Sequence, residues 1–201
     1  MPSFIILICT LLATILLTVN YGQRFYQLSR KTYAVNPLTP LVWIFSSVLA
    51  VIFLLASQNF VLAALSGLAL IYQAIFFIFG AIKMRKVPRK WKVRKIDFIC
   101  FALAIFASVV FRVTGDANFG AAIIFAGKIF GELPQLRKAF TAPETDSISI
   151  YLIAAARYLI LFGTLENINF VGLSQSIFWA IFIFVEGFWI WYCQRRLGRK
   201  I

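Results

Sequence analysis

Eight polar side chains interrupt otherwise apolar stretches of this sequence, and six of them carry the spacing of a helix face. Lys128, Glu132 and Gln135 stand at i, i+4 and i+7, which puts them on one side of a helix. Asn20, Arg24 and Gln27 repeat that spacing near the N-terminus. Arg157 falls in the middle of another apolar run, and Glu186 about two turns from the end of the last one. Such a set can form ion pairs that fix helix register. It can also bind a charged or zwitterionic solute, or pass protons through Glu132 or Glu186. Arg24 has the further option of snorkelling to lipid headgroups along its aliphatic stem. Enzymatic chemistry is a poor fit. The chain has no histidine, no G-x-S-x-G elbow, no Cys/His metal set and no Gly-rich phosphate loop. Cys9, Cys100 and Cys193 lack metal-ligand spacing, and an odd count gives no disulfide framework, so they read as packing residues. No enzyme activity, metal or cofactor is expected.

The elements that must hold these groups are membrane spans. The 201 residues are 62% hydrophobic and 13% charged, and the mean hydropathy is +0.89. Soluble domains are about half apolar and a quarter charged. A span needs roughly 20 mostly apolar residues, and seven stretches qualify: about 4–28, 38–57, 60–82, 96–113, 118–136, 148–164 and 171–192. No Lys or Arg precedes the first, so it is read as a span rather than a cleaved signal peptide. The connections leave no room for a soluble domain.

The net charge of +13 belongs to topology, and no nucleic-acid partner is expected. Arg24, Arg30 and Lys31 mark the first connection, eight Lys and Arg the linker 83–95, Arg137 and Lys138 the fifth connection, and Arg195, Arg196, Arg199 and Lys200 the tail. These alternate with the nearly uncharged connections 57–59, 112–118 and 164–169. The positive-inside rule then sets the N-terminus outside and the C-terminus in the cytoplasm. Linker 83–95 has a rival reading as an anionic-lipid or nucleic-acid patch. The short tails suit a prokaryotic cytoplasmic membrane, with an endomembrane as the alternative.

The chain also repeats itself. With Gln27 set against Gln135, Tyr26-Gln27-Leu28-Ser29-Arg30 lies over Pro134-Gln135-Leu136-Arg137-Lys138. After a two-residue difference in length, Asn36-Pro37-Leu38-Thr39 lies over Asp146-Ser147-Ile148-Ser149. Residues 1–86 and 118–201 therefore read as two three-helix units, with the basic loop and linker helix in 87–117. The expected fold is all-α and integral to the membrane, with seven transmembrane helices as two parallel three-helix repeats joined by a linker helix (3+1+3). Pro134 either ends its helix or kinks it; with Gln135 beside it, the pair is a candidate hinge.

Leu133-Pro134-Gln135-Leu136, the basic pair Arg137-Lys138, and Thr145-Asp146-Ser147-Ile148-Ser149 resemble the motif of the PQ-loop superfamily. That superfamily includes the SWEET sugar transporters, the lysosomal cystine and cationic amino-acid exporters, and the KDEL receptors. The first copy departs from the motif, with Tyr26-Gln27 where Pro-Gln would be expected. The resemblance implies a substrate site near the midplane between the two units, with alternating access by rocking at the kinks.

The expected pathway residues are Asn20, Gln27, Tyr72, Gln73, Lys128, Glu132, Arg157, Trp179 and Glu186, with Pro134 and Gln135 as the hinge. A mid-helix charge costs about 2.5–3.5 kcal/mol on insertion scales, which favours pairing or a wet cavity over lipid. Fixed charges suit an amino acid or small organic ion better than a sugar, although Gln73, Tyr72, Trp179 and Gln175 would suit a sugar. The partners expected are a small-molecule substrate, membrane lipid and, if coupled, protons; the oligomeric state is not readable. The alternative to a transporter is a receptor for a peptide carboxylate, because Arg157-Tyr158-Leu159 resembles a stretch of the KDEL receptors.

Overall fold

The computed structural model describes residues 3–30, 38–84, 117–143 and 146–197, with scattered positions between 95 and 113. Among the described residues the fold is all-helical. The helices are α1 (Ser3–Ser29), α2 (Leu38–Ala56), α3 (Phe60–Met84), α4 (Ala117–Thr141), α5 (Ile148–Leu161, extended by a 3₁₀ turn Phe162–Thr164) and α6 (170–197). The last is built of Phe170–Leu173, a π-helical turn Ser174–Phe178 and Trp179–Leu197. Four of these, α1, α2, α3 and α6, are long and apolar enough to cross a membrane. Helix α4 is long enough but carries Lys128, Glu132, Arg137 and Lys138, and α5 is shorter.

Six helices are thus described where the sequence led to seven. The fourth expected span, 96–113, lies outside the continuously described residues, as do most of linker 83–95, Lys31, Asn36-Pro37, Cys100, Thr145, Arg199 and Lys200. A second difference concerns Pro134. The span expected to close near residue 136 instead continues through the proline to Thr141. Gln135 and Lys138 both reach Asp146 beyond the helix end, and those bonds hold its last turns.

The distribution of side chains is inverted relative to a soluble protein. Ile71, Ile75, Ile78 and Ile82 line one face of α3 and are 57%, 50%, 59% and 62% exposed. On α1 the outward residues are Phe4, Leu7, Leu11 and Ile15. The inside instead holds Asn20, Arg24, Gln73, Lys128, Glu132, Arg157 and Glu186, all buried. An apolar outside around a polar inside fits a protein embedded in a membrane. Helices suit that setting because each backbone group is satisfied within its own segment. Thr10, Thr14 and Thr18 follow the same logic, each donating to the carbonyl four residues back at 2.6–2.9 Å.

Packing relates the helices in matched pairs. Helix α3 packs on both α1 and α2, and α6 packs on both α4 and α5. Contacts advance together along α1 and α3, from Thr18–Tyr72 to Phe25–Phe79. They do so also along α4 and α6, from Phe125–Phe178 to Phe140–Trp189. Two further seams, α1 on α5 and α2 on α4, join the halves. Across the first, Ser149 Oγ donates to Gln23 Oε1 at 3.3 Å. Across the second, Thr39 Oγ1 donates to the Gly131 carbonyl at 3.4 Å. Gln23 precedes Gln27 by as many residues as Gly131 precedes Gln135, and Thr39 is the counterpart of Ser149 in the repeat alignment.

Helices α2 and α4 approach closely because position 131 is glycine. A Cβ there would run into the Val42 side chain, with its own Cβ only 2.9 Å away. Val42 is buried and cannot swing into open space. Gly131→Ala is expected to destabilise the fold by about 1–3 kcal/mol, the usual range for overpacking. Denaturant titration in detergent would check this; unchanged stability would mean that the seam yields easily.

Candidate functional site

The polar groups singled out from the sequence converge between the helix pairs. A cavity of about 50 Å³ is lined by Asn20 and Arg24 of α1, Trp43 and Ser47 of α2, Gln73 of α3, Lys128 and Glu132 of α4, Arg157 of α5, and Trp179 and Glu186 of α6. Each of α1 to α6 contributes. Of the nine pathway residues expected, Asn20, Gln73, Lys128, Glu132, Arg157, Trp179 and Glu186 line it. Tyr72 and Gln27 do not. Tyr72 stands behind the wall, stacked on Tyr21 with 5.3 Å between centroids and 3.3 Å from the Thr18 hydroxyl. Gln27 is half-buried nearer the end of α1.

Arg24 does not snorkel. Its guanidinium is buried, with Nε donating to Asn20 Oδ1 at 3.1 Å. It lies 4.9 Å above the Trp43 ring and 6.0 Å from Tyr151, positions suited to cation–π attraction. Asn20 in turn donates from Nδ2 to the Ile150 carbonyl, tying α1 to α5. Lys128 is also well held. Its ammonium donates to Gln175 Oε1 at 2.9 Å and lies 5.1 Å over Trp179. Both partners flank or sit within the π-helical turn of α6. Such turns often re-aim side chains at functional sites, and here two of them meet one lysine.

The remaining charges are less satisfied. Glu132 accepts from the Trp43 indole on Oε1, while its Oε2 is buried without a partner. Arg157 lies 4.8 Å over Tyr158, and its Nε has no hydrogen-bond partner. Glu186 Oε1 and Gln73 Oε1 are likewise buried and unpartnered. Among the described residues, Lys128, Glu132, Arg157 and Glu186 make no salt bridge with one another. A register-fixing pair of ion pairs is therefore absent from this quartet. Four residues of the wall thus carry one unmatched donor and three unmatched acceptors, all buried.

Two sets of bonds lie toward the ends of the bundle. At one end, Asn167 N donates to Asn59 Oδ1 at 2.9 Å, and Asn167 Nδ2 to the Gln58 carbonyl at 3.0 Å. Glu166 Oε2 accepts from Val61 N at 3.0 Å. This clasp joins the α2–α3 connection to the α5–α6 connection. Gln58 makes its turn with a left-handed φ of 57°. At the other end, Gln135 Nε2 donates to Asp146 Oδ1 at 2.8 Å and to the Tyr151 hydroxyl at 3.1 Å. Lys138 Nζ donates to the same Asp146 oxygen at 2.9 Å. Gln194 Nε2 donates to the Pro143 and Asp146 carbonyls, each at 2.9 Å. Burial pushes the Asp146 carboxyl above its usual range, and Lys138 and Gln135 pull the other way.

Sequence reasoning missed Trp43, Ser47, Tyr151 and Tyr158 as cavity residues. A signal for the first two was present: Thr39, Trp43 and Ser47 recur every fourth residue on a helix whose one other polar side chain is Ser46. Tyr151 and Tyr158 share a helical face with Ala154, and such a stripe reads equally well as packing. No protein-family model, curated protein or solved structure matches this chain.

Proposed function

We propose that this chain is a membrane transporter for a small zwitterionic solute of the amino-acid type, working by alternating access between two parallel three-helix units joined by a linker helix. The matched pairing of α1 with α3 and α4 with α6, and the equivalent Gln23–Ser149 and Gly131–Thr39 contacts, support the repeat and an axis along the membrane normal. The alternation of basic connections supports an outer N-terminus and a cytoplasmic C-terminus.

The observation that carries the reading is the set of unpartnered buried atoms on residues that line the cavity. Arg157 Nε can donate, while Glu132 Oε2, Glu186 Oε1 and Gln73 Oε1 can accept. A buried polar atom left unpaired costs about 1–3 kcal/mol, so a ligand that completes all four gains from each. A carboxylate at Arg157 with an ammonium among the acceptors does so; a sugar leaves the carboxylates without a counter-charge. About 50 Å³ is far below the ~300–1,000 Å³ of ordinary ligand sites. In this conformation the cavity is too small for such a solute, and the proposed cycle requires the units to part.

A thermal-shift series with purified protein tests the reading, since binding to the native state raises apparent stability. Stabilisation by a neutral amino acid, followed by its uptake into proteoliposomes, is the expected result. Stabilisation by sugars alone would overturn it. The carboxylate-receptor alternative is favoured by Arg157 stacked on Tyr158. Binding of a C-terminal tetrapeptide with no uptake would select it.

Motion predicts two further results. Asn59→Ala removes the side-chain acceptor of Asn167 N from the clasp and is expected to raise labelling from outside of a cysteine placed at Ser47. Unchanged labelling would remove the clasp from the gating cycle. Pro134 denies the Phe130 carbonyl its intrahelical donor. Pro134→Ala is expected to slow uptake more than Tyr26→Pro speeds it, because only the second repeat carries the proline. Uptake at the original rate in Pro134→Ala would leave the proline without mechanical weight.

A further inference from the structure

A second depression, unrelated to the polar cavity in character, opens on the lipid-facing side between α4 and α6. Leu133, Leu136, Arg137 and Phe140 come from α4, and Phe182, Val185, Glu186 and Trp189 from α6. Both sets follow i, i+3, i+4, i+7, so two parallel helices each turn one face into the groove. Its volume is about 420 Å³. Leu133, Phe140 and Val185 are exposed along it. The walls are apolar except at two points. Glu186 is buried at the deep end, a turn below Trp189, and Arg137 stands just before the last turn of α4, beside Phe140.

We propose that this groove binds an anionic phospholipid, one acyl chain along Leu133, Phe182 and Val185 and its phosphate on Arg137. In a membrane an open apolar groove is filled by lipid tails, so the question is which lipid. Charge complementarity answers it. The Arg137 guanidinium has five donors in a planar fork, and Arg195 and Arg196 stand in the last turn of the same α6 that forms the opposite wall. All the cations sit toward the helix ends, where headgroups lie. Trp189 donates to the Leu136 carbonyl at 3.4 Å, pinning the two walls at the level where chain meets headgroup. The one acid, Glu186, is set deeper, against the tail rather than the phosphate. The proposal rests on membrane embedding alone and stands whether or not the polar cavity carries an amino acid.

Native mass spectrometry of the delipidated protein, incubated with phosphatidylglycerol or phosphatidylcholine of identical chains, tests it. Retention of phosphatidylglycerol is expected to exceed that of phosphatidylcholine about fivefold, the effect of one basic residue at a membrane surface. Arg137→Gln should bring the two to parity, and Val185→Trp, which fills the groove, should lower both. Equal retention of the two lipids by the original protein would overturn the proposal. So would retention of glycerol phosphate without a tail, or a dimer that buries the groove and excludes both lipids. Should Arg137→Gln fail to fold, the ratio for the original protein and the Val185→Trp result decide.

Discussion

Arg157→Gln is expected to weaken amino-acid binding by about thirtyfold or more, and Glu186→Gln to weaken it comparably. Truncating one partner of a desolvated charge pair costs about 2–5 kcal/mol, and each 1.4 kcal/mol is about tenfold. The amide keeps the side chain's length and polarity while removing its charge, so the change reads charge recognition rather than shape. Lys128→Met is expected to do less to binding, because the Lys128 ammonium is already engaged by Gln175 and Trp179. That ordering separates recognition from support. If the charges served only to hold the helices together, Arg157→Gln would lower stability and leave the ligand response intact. Isothermal titration with each variant, beside its unliganded melting temperature, distinguishes the two. Measuring uptake against pH in Glu132→Gln and Glu186→Gln tests proton coupling at the same sites. Unchanged pH dependence in both would remove these carboxylates from it.

The sequence made the helices legible because their outer faces are uniformly apolar over the length of a span, and nothing in a bilayer competes with that signal. The polar stripe on α4 was legible for a related reason. A charge inside such a stretch must face something other than lipid, so Lys128, Glu132, Arg157 and Glu186 were conspicuous. Arg24 was misread because its position near the helix end allowed a route to water; the Trp43 and Tyr151 rings that hold it come from other helices. Trp43 itself was hidden by chemistry. A tryptophan among leucines and valines reads as packing until its indole meets Glu132. Pro134 left an end and a kink equally open, since its local effect on one hydrogen bond is real; the helix runs on to Thr141, and Gln135 and Lys138 bond to Asp146 beyond it. What stayed illegible for Arg24 and Trp43 was a contact between residues far apart in the chain.

Removing one member of the Lys138–Asp146 pair gives the other large expected effect. Both side chains are fully buried, 2.9 Å apart. Asp146 Oδ1 also accepts from Gln135, while its Oδ2 has no partner. A lone charge left in such a place costs about 3–5 kcal/mol, whereas replacing both charges by apolar groups is often neutral. Lys138→Met is therefore expected to destabilise strongly, and Lys138→Met with Asp146→Leu to recover most of the loss, in reversible unfolding from detergent. Additive losses in the double variant would mean that the two side chains contribute independently rather than as a pair. The recovered double variant then asks a functional question that the single variants cannot. Gln135, Lys138, Asp146 and Gln194 bind the end of α4 to the start of α5 and the end of α6. An apolar replacement keeps the packing but removes the directional bonds that must break and re-form if this end opens. A stable double variant that binds solute yet transports slowly would assign the lattice to motion. One that transports at the original rate would make it a fastening of the fold alone.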